Sequence, residues 1–168
     1  MISSLILTVL GPDRPGLVGA IADLVSQHGG SWQESRMARL SGQFAGILRV
    51  ECPAENRSAL EADLAKLKAN GLSITLAHDD RETVSEGPIV AIEITGHDEP
   101  GIVKRVATTF TRLGVNVEEL NTSLESAPMA GHLLFCTRGK VRLPDDLSMQ
   151  DLITALEDVG SDLTVDIH

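Results

Sequence analysis

The six residues Gly11-Pro12-Asp13-Arg14-Pro15-Gly16 return 85 positions later as Gly96-His97-Asp98-Glu99-Pro100-Gly101, in a chain of 168 residues. Each copy joins a run that alternates like a strand to a run with helical spacing. A repeat whose period is half the chain is the signature of one small fold made twice, with the same loop at the same corner. Before the loops, Leu5, Leu7 and Val9 share one face and Val90, Ile92 and Ile94 share another. Period-two runs of this kind predict strands half-covered by helices. After the loops, Leu17, Val18, Ile21, Leu24 and Val25 match Ile102, Val103, Val106, Phe110 and Leu113 as helical stripes. Pro15 and Pro100 suit the first helical turn, and Gly29-Gly30 and Gly114 mark the helix ends.

The pattern continues in both halves. Second and third strands are predicted over 31–40 and 43–51, with Ser41-Gly42 between them, and over 115–124 and 130–141. Phe44-Ala45-Gly46 matches Met129-Ala130-Gly131 at the same offset, which predicts hairpins of equal length. A helix over about 56–69 carries Leu60, Leu64 and Leu67, with Ser58 and Glu61 spaced as a capping box. Its counterpart carries Leu152, Leu156 and Val159 at an offset of 92, so about seven extra residues are expected within 138–145. Strands over 72–76 and 163–167 close the two halves. The order βαββαβ, twice, predicts an α+β protein of two ferredoxin-like domains, each a four-stranded antiparallel sheet with two helices on one face. The polar stretch before Gly87-Pro88 divides them: residues 1–80 form one domain, 81–88 a linker and 89–168 the other.

Composition excludes several classes of function. The net charge of −10 repels phosphate backbones, and aromatic residues are only 2%, too few for base stacking. Direct nucleic-acid binding is therefore not expected. Arg138, Lys140 and Arg142 alternate along one strand and are expected to guard a sheet edge against aggregation. The two cysteines, Cys52 and Cys136, sit in apolar runs without metal-ligand spacing, and the scattered histidines suggest no metal site. No nucleophile elbow, Walker loop or dinucleotide fingerprint occurs, so neither an enzyme nor a cofactor is expected. The first residues lack the basic start of a signal peptide, and no stretch has membrane-spanning length. A cytoplasmic protein without membrane contact is the expectation.

With this order and a Gly-x-Asp-x-Pro-Gly turn after the first strand, the chain resembles tandem ACT domains. Leu10-Gly11-Pro12-Asp13-Arg14-Pro15-Gly16-Leu17-Val18, with Glu34-Ser35-Arg36-Met37-Ala38 and Leu40, further resembles the glycine cleavage system transcriptional repressor family. The resemblance implies a non-enzymatic regulator that senses a small amino acid, glycine in this family. It also implies action through a DNA-binding transcription factor, and side-by-side pairing of such sheets predicts a homodimer or an internal pseudo-dimer. An alternative of another class is a ligand-independent dimerisation and interaction module.

A helix N-terminus offers unpaired N–H groups and a positive dipole end to a carboxylate, and a neighbouring Asp accepts from an ammonium. The candidate ligand-binding residues are therefore Asp13, Arg14, Pro15, Gly16 and Leu17 in the first turn. Asp98, Glu99, Pro100, Gly101 and Ile102 are their counterparts in the second. The resemblance adds Asn116, at the start of a second strand, and its counterpart Ser31, each facing the turn of a neighbouring domain. It also marks departures, since Asp13 and Asp98 stand where the family often has Asn, and Gly11 and Gly96 where it often has His. Asp13 is equally a candidate helix cap, and Arg36 and Arg39 are read as solvated strand charges.

Overall fold

A computed structural model describes residues 1–79, 87–126, 133–160 and 162–168, and the chain falls into two compact units, Met1–Arg81 and Glu82–His168. The first contains β1 (Ile2–Pro12), α1 (Leu17–Gln27), β2 (Ser31–Leu40), β3 (Gln43–Pro53), α2 (Arg57–Lys66) and β4 (Ser73–His78). The second contains β5 (Ile89–His97), α3 (Ile102–Arg112), β6 (Asn116–Ser126), β7 (Leu133–Arg142), α4 (Met149–Glu157) and β8 (Thr164–Ile167). The sheets run β2-β3-β1-β4 and β6-β7-β5-β8, every pairing antiparallel. This is the βαββαβ ferredoxin-like fold made twice, as the repeat predicts.

Each unit has its own aliphatic core. Leu5, Leu7 and Val9 of β1 are fully buried with Ile21 of α1 and Leu60 and Leu64 of α2. Val90, Ile92 and Ile94 of β5 pack with Val106 and Phe110 of α3 and Leu152 and Leu156 of α4. Cys52 and Cys136 are free, buried thiols, and burial pushes the Cys52 thiol up from its ordinary value.

The glycines end α1 and α3 in the same way. Gly29 and Gly114 have φ of 68° and 67°, and the amides of Gly30 and Val115 donate to Val25 and Phe110 carbonyls at 2.8 and 2.9 Å. Both are Schellman motifs. Ser41 and Gly42, with φ of 48° and 80°, close the β2–β3 hairpin with the twist that two-residue turns favour.

Three local expectations are corrected. Pro15 and Pro100 precede the helices, because the caps are Gly16 and Gly101. Ser58 lies inside α2, whose cap is Asn56 without a side-chain bond, so no capping box forms there. A side-chain cap appears instead at Ser148, whose Oγ accepts from the Asp151 amide at 3.1 Å and donates to its carboxylate at 2.6 Å. β7 is an inner strand, so Arg138 and Arg142 guard no edge; they pair across the sheet with Glu93 and Glu118, each at 2.8 Å.

The extra residues of the second half also lie elsewhere than expected. Gly11 pairs with Phe44, but Gly96 pairs with Phe135, so the offset changes from 85 to 91 before β7 begins. Trp32 opposite Val50 and Val117 opposite Val141 put the change within the β6–β7 connection. Met129-Ala130-Gly131, the expected partner of Phe44-Ala45-Gly46, lies outside the described residues. The alternation of buried side chains, rather than that three-residue likeness, fixes the register.

Candidate functional site

Both glycine-bounded loops are turns held by one backbone requirement. Gly101 has φ 83° and ψ 9°, Pro100 precedes it, and the Ile102 amide donates to the Glu99 carbonyl at 3.1 Å. That is type II turn geometry, which needs a residue tolerant of positive φ at its third position. Gly16 has the matching φ of 91° and ψ of 0°. The helices then start without a side-chain cap, the first internal bonds being Ala20 to Gly16 and Arg105 to Gly101. Asp13 and Asp98 therefore cap nothing. Leu17 and Ile102 are buried in the cores, so their side chains anchor the turns from beneath.

In the second unit this turn forms one wall of a cleft of about 430 Å³. Asp98, Glu99, Pro100, Gly101, Ile102 and Val103 line one side, and Thr122, Ser123, Leu124 and Phe135 the other. Glu99 is held by Arg105 at 2.7 Å. Asp98 makes no side-chain hydrogen bond or ion pair with the described residues and is exposed at the rim. A Cβ placed on Gly101 would meet nothing within 4 Å, so the space above the turn is open. The cleft thus combines an uncapped helix start, an unengaged carboxylate and an apolar floor.

The first unit differs at the same place. Leu124 corresponds to Arg39, and the Arg39 guanidinium crosses to pair with the Asp13 carboxylate. The Asp13 amide meanwhile donates to the Gly42 carbonyl of the β2–β3 hairpin at 2.8 Å. Arg14 turns the other way: its guanidinium donates to the Asn70 carbonyl and lines, with Pro15, Gly16 and Ala20, a groove of about 360 Å³. Arg39 remains a largely exposed strand charge, as expected, here paired with Asp13, and Arg36 pairs on its own strand with Glu34 at 3.1 Å.

Ser31 and Asn116 are far from the turns of their own units. Asn116 is level with Arg142 and Ile89, at the end of the sheet opposite His97. Eight residues of strand separate the two ends, about 26 Å. Ser31 is likewise level with Glu51 and Ser4. Asn116 donates locally to Glu118 at 3.3 Å, and the Arg142 hydrogen bond beside it holds the Glu118 carboxyl below its ordinary value. Either residue reaches a turn only when it comes from another domain. Thr122–Leu124 and Phe135 were not among the expected site residues. The offset of 85, carried from Met37–Arg39, points to the first three.

Among the described residues no cluster of His, Cys, Asp or Glu is arranged to hold a metal ion. Nor is any described helix long and apolar enough to cross a membrane.

Known proteins place this architecture. Residues 3–76 match the ACT domain family. The glycine cleavage system transcriptional repressor of Escherichia coli is 27% identical over 126 residues, a match spanning 73% of this chain and 66% of that protein. Phosphoserine phosphatase SerB2 of Mycobacterium tuberculosis is 26% identical over 133 residues, but only 32% of its length is spanned. A crystal structure of a Galdieria sulphuraria protein of unknown function superposes with a TM-score of 0.83 at 29% identity, covering 100% of this chain and 98% of that one. A crystal structure assigned to the glycine cleavage system transcriptional repressors covers the same shares with a TM-score of 0.71 at 17% identity, a likeness of fold. The chain is therefore similar to the ACT domain family over its first unit, builds the same βαββαβ fold a second time, and resembles the glycine cleavage system transcriptional repressors.

Proposed function

We propose that this chain is a non-enzymatic, amino-acid-sensing regulator that acts through a DNA-binding protein partner, with the second unit as its sensor. The observation that carries the sensing role is the open cleft at the Asp98–Val103 turn. A small amino acid seated there sets its carboxylate on the uncapped start of α3, where main-chain N–H groups and the helix dipole favour negative charge. Its ammonium meets Asp98, and a small side chain rests against Leu124 and Phe135. Similarity to the repressors supports glycine as the first candidate. The surface carries −10 net charge, which supports action through another protein rather than on DNA directly.

Titration calorimetry of the full chain with glycine, alanine and serine tests the sensing role. Saturable heat at millimolar or lower concentration, with a matching rise in melting temperature, supports it. Correctly folded protein that binds none of the three refutes it. The ligand-independent reading has its own observation, the Arg39–Asp13 pair at the first unit's turn. We assign the first unit that role: an interaction domain whose turn is already satisfied. Sedimentation of the chain with and without glycine tests self-association. A dimer formed equally in both conditions is the expected result.

A further inference from the structure

The helical layer of the second unit contains a second, larger groove, of about 610 Å³, between α3 and α4. Lys104, Arg105 and Arg112 project from its α3 side, and Ala155, Asp158 and Val159 form its α4 side. We propose that this groove docks an acidic peptide segment of a protein partner. The proposal gives a surface to the partner-docking half of the function above. It rests on that half alone.

Charge comes first. The chain carries 24 acidic and 14 basic residues, so its mean field repels an acidic partner. Three of the basic residues nevertheless lie within nine positions of one helix. Arg105 is engaged by Glu99, whereas Lys104 and Arg112 have no ion pair among the described residues. A cationic stripe on an anionic protein selects one docking face and orients the approach.

Shape comes second. Lys104 and Arg112 are eight residues apart, about 12 Å along the helix axis. That span matches about four residues of extended peptide. The wall opposite has apolar Ala155 and Val159, which suit side chains rather than a sugar–phosphate chain. Asp158 repels a carboxylate from the α4 wall, so the peptide's acids lie towards α3.

The repeat shows that the fold itself does not require the stripe. The positions of α1 that correspond to Lys104, Arg105 and Arg112 hold Gly19, Ala20 and Gln27, and Asp23 stands for Thr108. The first unit folds in the same way without them. Its groove is smaller, and its one lining cation, Arg14, is bonded to the Asn70 carbonyl.

Fluorescence polarisation of the full chain with a labelled eight-residue peptide of alternating Glu and Ala tests the proposal, with a Lys–Ala peptide as control. Binding of the acidic peptide only, weakened as salt rises, is expected. Arg112→Glu should weaken it several-fold, and Lys104→Glu with Arg112→Glu about tenfold, while Gly19→Glu leaves it unchanged. Equal binding by the double variant, or none by the wild type at millimolar peptide, overturns the proposal. So does tighter binding of a single-stranded oligonucleotide of equal charge that the same variants abolish, which would assign the groove to phosphates. The glycine-induced melting shift, measured on Arg112→Glu, stays intact if only the peptide groove is altered. Its absence from the wild type would count against the sensor reading alone.

Discussion

Two glycines three residues apart in the first unit should respond to the same substitution with opposite signs. Gly16 caps α1 with φ 91°, and Gly19 lies inside that helix without positive φ. A Cβ added at either meets nothing within 4 Å, so neither substitution creates a clash. Backbone conformation alone decides the outcome. Alanine at Gly16 must adopt the left-handed region, at a cost of about 1–2 kcal/mol. Loss of glycine's freedom in the unfolded chain returns ~0.4–1 kcal/mol, leaving a net destabilisation of about 1 kcal/mol. Alanine at Gly19 incurs no strain and should stabilise by roughly 0.5–1 kcal/mol. For a unit of this size each kcal/mol moves the melting temperature by ~4–8 °C. Gly16→Ala should therefore melt several degrees below the wild type and Gly19→Ala several degrees above. Differential scanning calorimetry of both variants, with Gly16→Asn as the residue that best tolerates positive φ, gives the order Gly19→Ala, wild type, Gly16→Asn, Gly16→Ala. A Gly16→Ala protein that melts at or above the wild-type temperature would refute the argument. The turn would then be free to leave the conformation that opens the helix start.

Asp98→Asn should abolish the glycine-induced melting shift, whereas Asp13→Asn, whose carboxylate already belongs to Arg39, should leave it intact; thermal melts with and without 10 mM glycine, or about that concentration, compare them. Thr137 is buried in β7 with an Oγ1 that has no hydrogen-bond partner among the described residues. Thr137→Val removes an unsatisfied polar atom at constant shape and should raise stability by about 1 kcal/mol, read from denaturant midpoints. Asp63 is held below its ordinary value by Lys66 and then His28, and Asp162 by the backbone and then the side chain of His97. A carboxyl whose folded pKa is depressed contributes stability that is present above its unfolded value, 3.8, and lost as pH falls through the folded one. Melting temperature should therefore decline below about pH 4, less steeply in an Asp63→Asn, Asp162→Asn variant. An unchanged acid limb in that variant would remove these two groups as the cause.

Much of the fold was legible because it depends on residue-by-residue periodicity. Leu5, Leu7 and Val9, with Val90, Ile92 and Ile94, had to face a core wherever the helices went. Gly29 and Gly114 had to end helices because few other residues adopt their φ so readily. The β6–β7 insertion was not legible in this way. A chance likeness of Phe-Ala-Gly to Met-Ala-Gly carries no energy, whereas Phe135 beneath Gly96 fills a core position that Phe44 fills beneath Gly11. Ser58 shows the same limit, since a capping box needs the chain to enter the helix at that residue, and the chain enters α2 earlier through a 3-10 turn at Ala54–Asn56.

The candidate site was legible as a place but not as a choice between its two copies, and the reason is a single contact. Asp13 and Asp98 are the same residue type in the same turn, so no local rule separates them. They differ because position 39, 26 residues downstream of Asp13, holds an arginine, while Leu124 stands in the corresponding place of the second unit. Strand pairing brings each of these side chains beside its own turn. An arginine there pairs with the carboxylate; a leucine leaves the carboxylate exposed and gives the cleft an apolar wall. The family likeness in Leu10–Val18 and Glu34–Leu40 is carried by the first unit, yet the unpaired carboxylate is in the second. A duplicated fold can thus keep its recognisable sequence in the copy whose carboxylate is already paired, and Arg39→Leu, which should release that carboxylate, asks whether the first turn has the capacity to bind.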